Sequence, residues 1–239
     1  MPAARTFSSA DSGTVKGSQK AIIARLSQRP AFRAHIAATA PLAPRALLCS
    51  DPGRALALAQ ELLHEPRMFN HNHGLWGYSG AAAGDGEALT IQSTGIGGPS
   101  AAVVFEELVA LGLKRAVYVA EAVAIAAARG LVVASSVICE DGAGRALAGG
   151  ERAEADAGLV ERLGGGAPSA ARGVIVSGDL FHYDDASWQR WAALGALAYD
   201  MQAGALIALG AARRVAVGCL LEVGGGEGVA AARAAASVI

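Results

Sequence analysis

The sequence predicts an α/β domain in which a mixed, mostly parallel sheet carries helices on both faces. Three observations predict it. Short apolar runs alternate with longer amphipathic ones along most of the chain, the pattern of strands joined by crossover helices. Hydrophobic residues make up 53% of 239 residues and charged residues only 17%, enough apolar material for one buried core with no linker dividing it. The 31 glycines suit tight turns and close helix–sheet packing.

Taken in order, residues 1–40 read as an extension that is partly disordered or helical. Its first ~15 residues are expected to be poorly ordered, as chain termini often are. Residues 18–38 read as helical with an interruption near Pro30. Residues 41–239 then read as a single domain. Arg45–Cys49 is a strand, and Ser50-Asp51-Pro52-Gly53-Arg54 turns into a helix through about Leu63, with Asp51 as its cap. Ala88–Gln92 is a strand and Pro99–Leu111 a helix with proline in its first turn. Ala116–Ala120 and Leu131–Cys139 are Val- and Ile-rich strands, Glu151–Leu163 is helical, and Val174–Val176 is a strand. Trp188–Leu194 and Met201–Ala212 are helices, Val215–Leu221 is the last strand and Glu227–Ser237 the last helix.

Composition narrows the function classes. A net charge of −1 offers no basic surplus for nucleic acid or an anionic membrane. No apolar run is long enough for a transmembrane helix, and the start lacks the apolar region of a secretory signal. Cys49, Cys139 and Cys219 each sit in an apolar segment, which suggests small core residues with reduced thiols in a cytosolic protein. His64, His71 and His73 include an H-x-H pair, but no cysteine or carboxylate at ligand spacing accompanies them. They read as surface histidines, and neither a metal nor a cofactor is expected.

In sheets of this kind ligands bind beyond the carboxyl ends of strands. That rule singles out Ser50–Arg54, Ser93–Ser100, Ala120–Val123, Ser177–Tyr183 and residues 222–226. Ser93-Thr94-Gly95-Ile96-Gly97-Gly98-Pro99-Ser100 follows a strand and opens a helix, so its glycines allow close backbone approach and its free N–H groups face an anion. The same segment serves equally as a tight strand-to-helix turn. Arg54, one turn into its helix, can grip an oxyanion with two hydrogen bonds or lie solvated on the surface.

The order, separation and text of these two segments resemble the nucleoside phosphorylase family, to which uridine phosphorylases and hexameric purine nucleoside phosphorylases belong. Ser177-Gly178-Asp179-Leu180-Phe181 resembles the base-site segment of the purine enzymes. Tyr199-Asp200-Met201-Gln202 resembles the family's V-E-M-E ribose segment. The resemblance runs from about Arg45 to the last helix. It implies a three-layer fold and a purine or pyrimidine nucleoside as ligand. It also implies cleavage of the N-glycosidic bond by phosphate, which is a co-substrate and not a cofactor. Sites borrow groups from a neighbouring subunit, so dimers or trimers of dimers are implied.

Carried over by position, the anion site would comprise Ser50, Arg54, Thr94, Gly95 and Gly97, with His73 where a neighbour's arginine normally enters. Ser50 stands for a family glycine, Tyr118 for another arginine and Glu121 for a phosphate-contacting threonine. Met201 would pack under the sugar and Gln202 would replace the glutamate that accepts its hydroxyls. Phe181 would pack against the base, and Glu222 lies within a residue of the expected general acid. Gln189 and Arg190 come too late to match the pyrimidine-reading pair of the uridine enzymes.

Two charges about 4 Å apart interact by about 4 kcal/mol at an effective dielectric near 20, so Glu121 opposes a bound phosphate. Three readings follow: a phosphorolytic enzyme; a hydrolase in which Glu121 orients water; and a non-catalytic nucleoside-binding or structural protein. The candidate catalytic residues are Glu121 and Glu222.

Overall fold

The computed structural model describes residues 35–125, 127–225 and 228–239. The expectations for residues 1–40 therefore lie almost wholly outside the described residues. From residue 45 onward strands and helices follow one another, with the expected strands and most of the expected helices among them. Strands β1 (Arg45–Cys49), β2 (Leu63–Asn70), β3 (Gly77–Ala82) and β4 (Ala88–Ser93) are followed by β5 (Arg115–Ala124), β6 (Gly130–Cys139) and β7 (Arg152–Glu154). The last three are β8 (Ala171–Ser177), β9 (Ala198–Asp200) and β10 (Ala216–Val223). The helices are α1 (Pro52–Leu62), α2 (Gly97–Ala110), α3 (Gly142–Ala148), α4 (Ala157–Gly166), α5 (Asp185–Ala193), α6 (Ala203–Arg213) and α7 (Val229–Ala236).

All ten strands share one mixed sheet, ordered β10-β6-β8-β9-β5-β1-β4-β3-β2, with β7 on β6. Strand β5 pairs in parallel with both β1 and β10, and β1 pairs in parallel with β4. Antiparallel pairs occur where β10 meets β6, β5 meets β9, β6 meets β7, and along β2-β3-β4. Because β10 pairs with β5 as well as β6, strands β5, β9, β8, β6 and β10 close on themselves.

Two apolar layers cover this sheet. Strand residues alternate between faces, so Ala116, Tyr118, Ala120 and Ala122 of β5 join α2 and α6 in one core. Val117 and Val119 join α1, α4 and α7 in the other. A third cluster seats Trp191 of α5 against Tyr199 of β9 and Val176 of β8. Cys49, Cys139 and Cys219 are all free and buried. Burial pushes the Cys49 and Cys139 thiols up to about 12.

Local chemistry explains the boundaries. Asp51 accepts the Arg54 N–H at 2.7 Å and caps α1, with Pro52 opening the helix. The helix expected from Glu151 begins only at Ala157. Arg152–Glu154 instead pairs with β6, and Asp156 caps α4 through the Leu159 N–H. The hairpin β2–β3, strand β9 and helix α3 had no counterpart in the pattern of apolar residues. No helix among the described residues is long and apolar enough to cross a membrane.

Candidate functional site

The site follows from a gap along one edge of β5. On that edge β1 pairs as far as Tyr118, and β9 takes over only at Val123. Ala120, Glu121 and Ala122 between them, with Tyr118 and Val123, line a cavity of about 400 Å³. The end of β1 contributes Ser50, the turn into α2 contributes Ile96 and Gly97, and the loop after β8 contributes Phe181. Strand β9 and the start of α6 add Tyr199, Asp200, Met201 and Gln202.

The cavity thus gathers Ser50, Gly97, Glu121, Phe181, Met201 and Gln202 from the residues singled out in the sequence. Arg54, His73, Thr94, Gly95 and Glu222 are not among its lining residues. Arg54 lies on α1 with Nη1 3.5 Å from where a side chain on Gly228 would begin. Among the described residues it forms no ion pair. His73, held at φ 53°, is exposed, and its ring lies 4.9 Å from that of His35 between centroids, tilted by 37°.

The turn between β4 and α2 takes the shape its glycines allow. Gly95 and Gly97 have φ of 75° and 81°, the left-handed region that favours glycine. A side chain at Gly95 would meet Ser100 Oγ at 2.4 Å. Among the described residues no side chain caps the N–H groups that open α2. Thr94 is wholly buried, and its hydroxyl donates inward to Gln202 Oε1 at 2.6 Å. Gln202 is only 2% exposed and donates through Nε2 to the Gly95 carbonyl at 2.7 Å.

Charge in and around the cavity is acidic. Among the described residues no lysine, arginine or histidine lines it, whereas Glu121 and Asp200 do. Asp200 is buried, accepts the N–H groups of Gln202 and Ala203, and so anchors the start of α6. Burial pushes its carboxyl up to about 6, the neighbouring Asp141 charge adds to that rise, and its hydrogen bonds oppose it. Burial, and then the Asp200 charge, raise the Tyr118 phenol well above its ordinary value. Asp200 escaped the sequence reading although it adjoins Met201 and Gln202. Its local signals were its place in the Tyr199-Asp200-Met201-Gln202 segment and a carboxylate three residues ahead of α6.

The remaining wall and rim are apolar. Phe181 is 72% exposed, Ile96 82% and Val123 49%, and all three line the cavity. Exposed apolar side chains grouped at a cavity mouth mark a surface that receives a ligand or partner. Gln189 and Arg190 lie on α5 outside the lining, and Arg190 pairs with Glu140 at 3.0 Å. Among the described residues no three His, Cys, Asp or Glu side chains converge to hold a metal.

A three-layer α/β fold with this cavity at the carboxyl ends of its central strands defines a nucleoside phosphorylase-like protein, and the comparisons with known proteins agree. Residues 44–235 match the phosphorylase superfamily. A DeoD-type purine nucleoside phosphorylase of Geobacillus kaustophilus is 31% identical over 193 residues, 74% of this chain and 79% of that protein. Another, from Oceanobacillus iheyensis, matches locally at 38% over 68 residues, 28% of each chain. The crystal structure of a uridine phosphorylase from Vibrio fischeri superposes with a TM-score of 0.76 at 25% identity, covering 82% of this chain and 91% of that one. The chain therefore belongs to the phosphorylase superfamily.

Proposed function

We propose that the chain binds a purine nucleoside in this cavity and cleaves its N-glycosidic bond. The observation that carries the proposal is the convergence of Ser50, Gly97, Glu121, Phe181, Met201 and Gln202, from five separate segments, around one cavity of about 400 Å³. That volume suits a small ligand. Phe181 offers its ring to the base and Met201 an apolar floor to the pentose. A purine fits better than a pyrimidine for two reasons. The Ser177–Phe181 segment resembles that of purine enzymes, and Arg190 is engaged with Glu140 away from the cavity. The DeoD-type relatives are purine nucleoside phosphorylases by name.

Cleavage needs an acceptor for the pentose. Phosphate is the family's acceptor, and here it would approach Ser50, the α2 N–H groups beside Gly97, and Glu121. One observation favours water as a second reading: among the described residues the lining has no cation, and its exposed charge is Glu121. A carboxylate there repels an anion and can take a proton from water. In that reading the water oxygen bonds to the anomeric carbon. The C–N electron pair leaves with the base, and the proton taken by Glu121 returns to the departing nitrogen.

The test is release of free base from inosine, guanosine, adenosine and uridine, with and without inorganic phosphate. Release from the purine nucleosides that requires phosphate assigns phosphorolysis. Release indifferent to phosphate, and lost in Glu121→Ala, assigns the hydrolytic reading. A folded protein that neither cleaves nor binds any of the four would overturn the proposal.

A further inference from the structure

We infer that Gln202 is a positioning residue that clamps the Gly95–Gly97 turn to the start of α6, and does not serve as an acceptor for the pentose hydroxyls. Two segments meet at this amide, the Thr94–Gly97 turn and the start of α6, and Thr94 ties the turn to a third, the end of β1. The Gly95 carbonyl has no proton to give, so the group 2.7 Å from it must be the Nε2 donor. That orientation leaves Oε1 facing Thr94 Oγ1 at 2.6 Å, and the threonine hydroxyl, which also lies 3.0 Å from the Cys49 carbonyl, shares its proton between the two acceptors. Thr94 is held in turn by the end of β1, its N–H donating to the Cys49 carbonyl at 2.7 Å. The amides of Thr94 and Gly95 both bond back to β1, the latter to the Ser50 carbonyl at 3.1 Å.

The chemistry of the clamp requires a side chain with one acceptor and one donor. A glutamate at 202 keeps the acceptor for Thr94 but brings a second bare oxygen against the Gly95 carbonyl. An acceptor facing an acceptor in a buried position costs more than an absent bond. The clamp also spends the Thr94 hydroxyl inside the protein, away from any ligand in the cavity. The turn it holds carries Ile96 and Gly97, which line the cavity.

The ligand arm of the test rests on the nucleoside reading; the exchange arm does not. A pentose acceptor at 202 binds more tightly as a carboxylate, because charge-assisted bonds are stronger, whereas a clamp breaks. The sign of Gln202→Glu therefore decides. The expected result is inosine affinity about tenfold weaker, with hydrogen exchange at Thr94 and Gly95 about tenfold faster in the free protein. Thr94→Val should do the same, Thr94→Ser should restore both readouts, and Gln202→Ala with Thr94→Val should lose less than the two single losses combined, because they share one bond. Tighter inosine binding by Gln202→Glu, or unchanged exchange in Thr94→Val, would overturn the inference. If Gln202→Glu does not fold, the Thr94→Val and Thr94→Ser pair carries the decision. If the unaltered protein binds no inosine, the nucleoside reading fails alone and exchange still judges the clamp.

Discussion

Glu121 on β5 and Glu222 on β10 stand opposite one another in parallel register at the carboxyl ends of two central strands. Glu121 is exposed and lines the cavity. Glu222 stands outside the lining, and among the described residues its Oε2 is buried without a hydrogen-bond partner. Two carboxylates side by side make this end of the sheet a poor place for an anion. The expected outcome of Glu121→Gln is inorganic phosphate binding tightened by about fivefold at low salt, the gain shrinking as salt screens it. Calorimetric titration of phosphate into both proteins checks this, and equal affinities would show that Glu121 points its charge elsewhere.

Asp200 ties stability to pH. Its carboxyl is raised from 3.8 to about 6, so between those values the folded protein holds a proton that the unfolded chain has released. Stability from this group is therefore greatest below about pH 4 and declines as pH rises through 6, by about 3 kcal/mol in all. Asp141 is shifted in the same direction, so the difference between the parent and Asp200→Asn isolates the effect. Urea unfolding at intervals from pH 4 to pH 7 should show the decline in the parent and a flatter profile in the variant.

Gly95 is required by backbone and by space together. Alanine there would sit at φ 75° with its Cβ 2.4 Å from Ser100 Oγ, which itself donates to the Thr94 carbonyl at 2.6 Å. Gly95→Ala is expected to cost at least about 2 kcal/mol in chemical unfolding. Gly84, with open space where a side chain would stand, serves as the control, and Gly84→Ala should stay within about 0.5 kcal/mol.

Phe181 separates binding from stability. Its ring is 72% exposed, so Phe181→Ala should change unfolding free energy by less than about 0.5 kcal/mol. The same change should weaken inosine by about tenfold through lost ring contact. A large drop in melting temperature would mean that the ring supports the fold and not the ligand.

Much of the architecture could be read before any coordinates. β1, β4, β5, β6, β8 and β10 are runs of apolar residues, and α1, α2 and α6 carry the helical period between them, so local patterning was enough. Asp51 and Pro52 announced the start of α1. The hairpin β2–β3 was illegible because Leu63–Asn70 is exposed over its middle five residues and its buried residues fall at its ends. Strand β9 is three residues long, too short for any period, and exists because it bridges β5 and β8.

By itself the sequence determined the family, the main strands and helices and their order, and which segments meet at the carboxyl ends of the strands, because those follow from local periodicity, turn chemistry and motif text. Only the tertiary structure decided what the polar groups there do. Thr94 and Gln202 lie 108 residues apart and satisfy each other, while Arg54 and Glu222 lie outside the cavity that Glu121 lines. A hydrogen-bonding group has the same letter whether it faces a ligand or another side chain, and only the folded backbone determines which of the two it meets.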